Sequence, residues 1–154
     1  MYKRYTHEGG VATPLIVHWP DGLKDQNKLR HATGHIIDIA PTCLNAAGLS
    51  TKGMEGQTLL PVFTKDSTQP RTLFWEHEGN RAVRQGDYKL VAQHNTPWEL
   101  YNMRKDRNEL HDLSRSMPQK TAELKKLYEA WAHRVGAKPW DEVSVIRKKK
   151  PPKK

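Results

Sequence analysis

The chain has 154 residues, enough for one domain with a core, but hydrophobic residues make up only 36% of it. That share is below the usual ~45–50% for globular domains, a class that also counts glycine. The composition therefore suggests that part of the apolar surface against which the chain packs is supplied from outside the chain.

No run of ~18 apolar residues is present to cross a membrane, and Met1–Arg4 lack the apolar stretch of a signal peptide. The single cysteine, Cys43, excludes an internal disulfide and a Cys/His zinc pattern, and it does not define the compartment.

The net charge is +9, and six of the positive charges lie between Arg147 and Lys154. The favoured interpretation is a basic, disordered tail over 141–154, because Pro151 and Pro152 oppose helix formation. The alternative is a segment that contacts nucleic acid or another polyanion through its lysines and arginine.

The first predicted element is a buried strand over Pro14–Trp19, because this segment is short, apolar and partly β-branched. A helix over Ile39–Ala47 follows, with Asp38 as its N-cap and Gly48 at its exit. Four strands are then predicted at close spacing, which favours an antiparallel meander. They cover Leu73–Glu76, Arg81–Arg84, Tyr88–Gln93 and Trp98–Asn102.

The last predicted element is an amphipathic helix that begins near Pro118 and ends at Gly136. Ser116 and Gln119 have the spacing of a capping box. We expect its apolar stripe to pack on the strands that carry Trp75, Val83 and Leu90. The stripe consists of Leu124, Leu127, Tyr128, Trp131 and Val135.

Two groups of residues are candidates for chemistry. Lys3 lies five residues before Glu8 and the glycine pair that follows it, where an ammonium group and a close backbone approach suit an anionic ligand. A solvated lysine is the alternative interpretation. His77 belongs to a cluster of carboxylates, imidazole and guanidinium over Trp75–Arg81, which suits acid–base work or anion binding. Its alternative is a charged strand and turn with cross-strand pairs.

Two other polar groups are given structural interpretations. His31 and His35 flank Gly34 before the helix, and we expect a hydrogen-bonded His35 rather than a metal pair. The polar residues of the segment after the fourth strand are interpreted as a solvated turn. They are Asp106, Glu109, His111 and Asp112.

Five motifs in order resemble the sulfatase family, and together they cover about Lys3 to Trp140. The first is Lys3 with Glu8-Gly9-Gly10 and the apolar segment that ends in Trp19-Pro20. The others resemble the family's helix start, its Gly-x-Ser-Leu-x-Pro segment, its Arg-x-Arg-x-Gly-x-x-Lys-Leu hairpin and its Glu-Leu-Tyr-Asp-Leu ending. They are His35–Thr42, Met54–Pro61, Arg81–Leu90 and Trp98–Met103.

The resemblance implies an α/β fold, the C-terminal part of an alkaline-phosphatase-like enzyme, ending in a small antiparallel sheet packed by a helix. On this basis residues 1–63 belong to the large domain, 64–140 form the small domain and 141–154 form the tail. The chain is thus expected to begin in the middle of an enzyme that hydrolyses sulfate esters of small molecules or glycans. The resemblance is compatible with a periplasmic or secreted parent.

The resemblance also implies calcium and a formylglycine nucleophile in the parent enzyme, with none of their residues in this chain. The family's nucleophile motif, Cys/Ser-x-Pro-x-Arg, does not occur here. By the same resemblance Lys3 contacts the sulfate group and His77 lines the substrate cleft. We therefore expect the separate chain to be inactive. The alternatives are a phosphate or phosphonate monoester hydrolase of the same superfamily and a non-catalytic polyanion-binding module; a membrane or nucleic-acid partner is not expected.

Overall fold

A computed structural model describes residues 3–25, 27–65 and 70–149. It divides into two compact units, one formed by Met1–Thr13 with Arg71–Lys154 and the other by Pro14–Pro70. No described helix is long and apolar enough to cross a membrane. We call the two parts the sheet unit and the helical unit.

The sheet unit contains four antiparallel strands in sequential order, which confirms the predicted meander. They are β1 (Thr72–His77), β2 (Asn80–Gln85), β3 (Tyr88–Ala92) and β4 (Glu99–Asn102). Register places Val83 opposite Leu90, and Leu90 opposite Leu100. Gly86 takes a φ of 58° between β2 and β3, a conformation that costs glycine little.

One face of the sheet is covered by helix α4 (Pro118–Val135), which ends at Gly136 with a φ of 69° as predicted. Leu124 and Tyr128 pack there on Val83, Leu90 and Leu100. The Trp131 ring stacks on Phe74, with centroids 5.0 Å apart.

Three details of the helix prediction are wrong. Trp75 belongs to a cluster on the other side of the sheet, because neighbouring strand residues point to opposite faces. Val135 is 44% exposed rather than part of the packed stripe. The N-cap is Met117, and the Ser116 hydroxyl donates instead to the Leu113 carbonyl, so the expected capping box does not form.

Helix α5 (Trp140–Lys149) replaces the expected disordered tail over its first nine residues. Asp141 and Glu142 lie in its first turn, where carboxylates favour a helix start. The two prolines that motivated the expectation lie beyond the helix, and residues 150–154 are outside the described part of the chain.

The second face of the sheet carries Ala82, Val91, Tyr101 and Met103. The segment 3–13 belongs to the same unit and contains the short helix α1 (Glu8–Val11). The first described residues therefore group with the sheet in this chain, and the expected domain boundary at residues 63 and 64 stays a prediction.

The helical unit contains a 3₁₀ turn (Ile36–Asp38), α2 (Ile39–Ala46) and α3 (Val62–Lys65). Asp38 occupies the N-cap position of α2 as predicted, but its side chain makes no capping hydrogen bond to that helix. Its buried carboxylate instead accepts the amides of His35, at 2.7 Å, and Gln57, at 2.9 Å. A Cβ on Gly56 would lie 2.0 Å from the Ile37 carbonyl oxygen, so glycine permits this close approach of the two segments.

The predicted buried strand over Pro14–Trp19 is not observed. The segment has no strand assignment, and the exposed fractions are 57% for Leu15, 89% for Ile16 and 38% for Val17. All four described strands belong to the meander of the other unit, so this segment lacks the neighbour that a strand needs. Its side chains instead border an open apolar groove of about 470 Å³. The groove is lined by Leu15, Val17, Trp19, Ile39, Thr42, Cys43, Ala46, Ala47, Leu59, Leu60 and Phe63.

Candidate functional site

Lys3 and His77 belong to segments that meet at one corner of the sheet unit. Lys3 is exposed in a turn with a φ of 52°, and His77 is the exposed last residue of β1. The buried side chain of Asn80 donates to the Arg4 carbonyl at 3.1 Å and to the His77 carbonyl at 3.0 Å. One amide group therefore links the residue after Lys3 to His77 itself.

The same corner contains charged groups of both signs. The Arg4 guanidinium forms an ion pair with Glu78, which lies in the two-residue turn between β1 and β2. Glu78 and Gly79 have φ values of 52° and 83°, the left-handed geometry of tight hairpin turns. The amide oxygen of Asn80 also accepts the backbone amide of His94 at 3.3 Å. Asn80 thus connects three segments at this corner.

The N-terminal segment is joined to the sheet by a second polar cluster, which we call the Lys89 cluster. The Lys89 Nζ lies 2.8 Å from Glu109 Oε1 and 3.7 Å from Glu8 Oε2, and the lysine side chain is 1% exposed. The second carboxylate oxygen of Glu109 accepts the Glu8 backbone amide at 2.7 Å. Arg107 Nε lies 3.1 Å from the other Glu8 oxygen. Burial lowers the pKa of Lys89, and the carboxylates of Glu109 and Glu8 counteract that shift.

This cluster corrects the interpretation of the segment after β4 as a solvated turn. The Glu109 side chain is only 4% exposed, although Asp106 and His111 form an ordinary surface pair. The sequence offered one signal: Lys89 stands inside an apolar strand, where a lysine is rarely buried without a partner.

A third contact is made by His7, whose Nε2 lies 3.2 Å from Glu99 Oε2. The Tyr101 hydroxyl donates to the same oxygen at 3.0 Å. Burial raises the pKa of the Tyr101 phenol, and the hydrogen bond to Glu99 raises it further. Because the His7 side chain is 6% exposed, it serves to attach the segment to β4 rather than to face solvent.

The second glycine of the Glu-Gly-Gly motif also has a local role. A Cβ on Gly10 would lie 2.0 Å from the Tyr5 carbonyl oxygen. Glycine at this position therefore lets the chain fold back on itself before α1 ends, which accounts for Gly10 without the anionic ligand that the sequence suggested.

Two histidines that were candidates for a metal pair have structural surroundings. His35 Nδ1 accepts the Ile37 amide at 3.3 Å, as expected of a hydrogen-bonded residue, whereas His31 is exposed. Among residues 3–25, 27–65 and 70–149, no group of three or more His, Cys, Asp or Glu side chains is arranged to hold a metal ion. In the Lys89 cluster, the carboxylates of Glu8 and Glu109 are engaged by lysine and arginine. These residues do not fit a calcium site.

A four-stranded antiparallel meander packed by one long helix is the C-terminal architecture of alkaline-phosphatase-like α/β enzymes that hydrolyse sulfate esters. The family model described as N-sulphoglucosamine sulphohydrolase, C-terminal, matches residues 1–134. The chain therefore belongs to the sulfatase family, of which it contains the C-terminal portion.

Individual relatives agree with this membership. Arylsulfatase K of Danio rerio is 30% identical over 141 residues, which are 82% of this chain and 27% of that protein. N-acetylgalactosamine-6-sulfatase of Canis lupus familiaris is 35% identical over 92 residues, or 56% of this chain and 17% of that protein. The crystal structure of Ps i-CgsB in complex with k-i-k-neocarrahexaose superposes with a TM-score of 0.53 at 25% identity, covering 62% of this chain and 23% of that one. The chain spans about a quarter or less of each.

Proposed function

We propose that this chain is the C-terminal portion of a sulfatase that hydrolyses sulfate esters of glycans. In this proposal Lys3 contacts the sulfate group, and His77 contributes to one wall of the substrate pocket. The observation that carries the proposal is the pair of hydrogen bonds from Asn80, which places the segments of Lys3 and His77 at one corner.

The chemistry required of Lys3 is electrostatic. When the bond between sulfur and the ester oxygen breaks, negative charge develops on the leaving oxygen. An exposed ammonium group held beside it stabilises that charge. His77, at the end of a strand, presents its ring to the rest of the substrate. In the sulfatase family a formylglycine and a calcium ion supply the nucleophile and the anchor for the sulfate oxygens.

The choice of glycans rests on the relatives. One relative is an N-acetylgalactosamine-6-sulfatase, and the structural neighbour holds a carrageenan-type oligosaccharide. Phosphate or phosphonate monoesters remain the alternative substrates. The polyanion-binding alternative depended on Arg147–Lys154. Of these residues, 147–149 end helix α5 and 150–154 lie outside the described residues.

We also propose that the helical unit is part of a larger α/β domain. Its open apolar groove and the exposed apolar side chains of Pro14–Trp19 are surfaces that the adjoining sheet of such a domain would cover. The share of arylsulfatase K that this chain leaves uncovered is large enough to supply that sheet. Without it, we propose that the separate chain is inactive.

The proposal can be tested in a chimaera in which the chain replaces the corresponding 27% of Danio rerio arylsulfatase K. Hydrolysis of p-nitrophenyl sulfate and p-nitrophenyl phosphate would distinguish the two ester classes. Lys3→Ala should lower kcat/KM for the sulfate ester by about 10²–10³, the scale for one charge-stabilising donor. His77→Ala should act mainly on KM.

Lys105 provides the matched control, because it is an exposed lysine in the turn after β4. Lys105→Ala should leave kcat/KM unchanged. A folded, active chimaera in which Lys3→Ala behaves like Lys105→Ala would contradict the role of Lys3. Preference for the phosphate ester would contradict the choice of sulfate.

A further inference from the structure

We infer that Lys89 and Glu109 are positioning residues that fix the segment 3–13, and with it Lys3, against the second face of the sheet. The link to Lys3 rests on the proposed function, whereas the attachment of the segment does not. Neither residue is proposed to contact the sulfate group; both act through Glu8, Glu109 at its backbone amide and Lys89 at its carboxylate.

The geometry makes Glu109 a bridge. One carboxylate oxygen receives the buried ammonium group of Lys89 at 2.8 Å, and the other accepts the Glu8 amide at 2.7 Å. The Glu8 carboxylate completes the connection, since it lies 3.7 Å from the same ammonium group. A rigid strand, a turn and the N-terminal segment are therefore joined through one lysine.

The buried residues among 3–13 are both polar, Thr6 and His7. Helix α1 has four residues and buries none of them. The other described attachments of the segment to the sheet unit are polar as well: the Arg4 carbonyl with Asn80, the Arg4 guanidinium with Glu78, and the His7 ring with Glu99. The Lys89–Glu109 pair is the most buried of these charged contacts, with side chains 1% and 4% exposed, so water and salt screen it least.

The position of the cluster separates this role from simple core packing. Residues beside Lys89 on the same face, such as Val91 and Tyr101, form an apolar cluster. An aliphatic side chain at position 89 would serve such a cluster at a lower desolvation cost. A buried ammonium group that meets two carboxylates from other segments serves attachment instead.

Hydrogen–deuterium exchange on the 154-residue chain tests the attachment without any activity. Glu109→Gln keeps the size of the side chain but removes the charge that faces Lys89. It should raise exchange about 10- to 100-fold at the amides of Gly10, Val11 and Ala12, the range expected for one lost charged hydrogen bond. Amides of β2 and β3 should keep their protection.

Two further variants make the result decisive. Lys89→Met should release the same amides, since it removes the ammonium group while filling its space. Glu123→Gln is the matched control, because Glu123 accepts Lys120 Nζ at the same 2.8 Å on helix α4 but is exposed. It should change nothing in the segment. Unchanged exchange in Glu109→Gln, or an equal rise in the segment and the strands, would overturn the inference.

The connection to Lys3 is tested by a double-mutant cycle in the chimaera. Glu109→Gln should lower kcat/KM by at least about tenfold when Lys3 is present and by less than about twofold in the Lys3→Ala background. Equal losses in both backgrounds would show that Glu109 does not act through Lys3. If Lys3→Ala by itself has no effect, the proposed function fails while the exchange result still decides the attachment.

Discussion

Leu124→Ala should destabilise the sheet unit more than any surface substitution in helix α4. Leu124 is fully buried and contacts the core formed by Val83, Leu90, Leu100 and Tyr128. The substitution removes apolar atoms and leaves a cavity between helix α4 and the sheet. The other core residues hold these two elements in place, so they cannot easily move together to fill the cavity. Comparable changes lower the free energy of unfolding by about 2–5 kcal/mol. A small domain has only ~5–15 kcal/mol in total.

The assay is urea denaturation followed by near-ultraviolet circular dichroism, because Phe74, Tyr128 and Trp131 form ring contacts in this core. Lys125→Ala is the control, since Lys125 is exposed and its Glu129 partner lies 3.7 Å away on the helix surface. We expect a change within ~0.5 kcal/mol. If Leu124→Ala unfolded at the same urea concentration as Lys125→Ala, the packing face of α4 would be wrongly assigned.

Three further outcomes are expected. Gly10→Ala should lower the melting temperature, because its Cβ would lie 2.0 Å from the Tyr5 carbonyl oxygen. Gly86→Ala should do less in the same thermal melt, because its Cβ meets no atom within 4 Å and only the positive φ strains it, at a cost of about 1–2 kcal/mol. Burial raises the pKa of Asp112, but hydrogen bonds from Leu100 and Ser114 outweigh it and leave that pKa lowered. Asp112→Asn should therefore lose stability at neutral pH and approach the wild type as the pH falls below about 4, a trend that urea titrations would check. Finally, the 154-residue chain with added calcium should release no p-nitrophenol from p-nitrophenyl sulfate, and calcium-dependent turnover would contradict its proposed inactivity.

The sheet unit could be predicted because its signals are local. Glycine with a neighbouring polar residue separates the first three strands, and the period of the apolar residues from Leu124 to Trp131 defines one helix face. The assignment of Trp75 to that face failed because Phe74, one residue earlier in β1, points to the helix. A shift of one residue along a strand exchanges its two faces.

The helical unit shows what a local signal leaves out. Pro14–Trp19 has the composition of a buried strand, but a strand is stabilised by hydrogen bonds to a neighbour that no composition reveals. Asp38 was interpreted as a helix cap on its position before Ile39. Its carboxylate instead binds the amide of Gln57, 19 residues away. Both errors concern partners that are distant in sequence.

Lys89 could be noticed but not explained from the sequence. The sequence Tyr88–Ala92 is equally compatible with a strand at the edge of the sheet, in which Lys89 extends its ammonium group to solvent. Only the fold shows that segment 3–13 covers this face and brings Glu8 within 3.7 Å of the ammonium group. The role of Glu109 is likewise visible only in the fold, because its carboxylate accepts the amide of Glu8, which lies 101 residues earlier in the sequence.

The two units hold their structures by different means. The sheet unit closes an apolar core between α4 and the strands, so burial of area stabilises it. In the helical unit, Leu59 and Val62 are the buried large aliphatic residues among those described, and Leu15, Ile16 and Val17 remain exposed. Its order depends instead on polar links such as the two amides bound by Asp38. Such links define local geometry but contribute only about 0.5–3 kcal/mol each. A surface that covered the apolar groove would therefore stabilise the helical unit far more than the sheet unit.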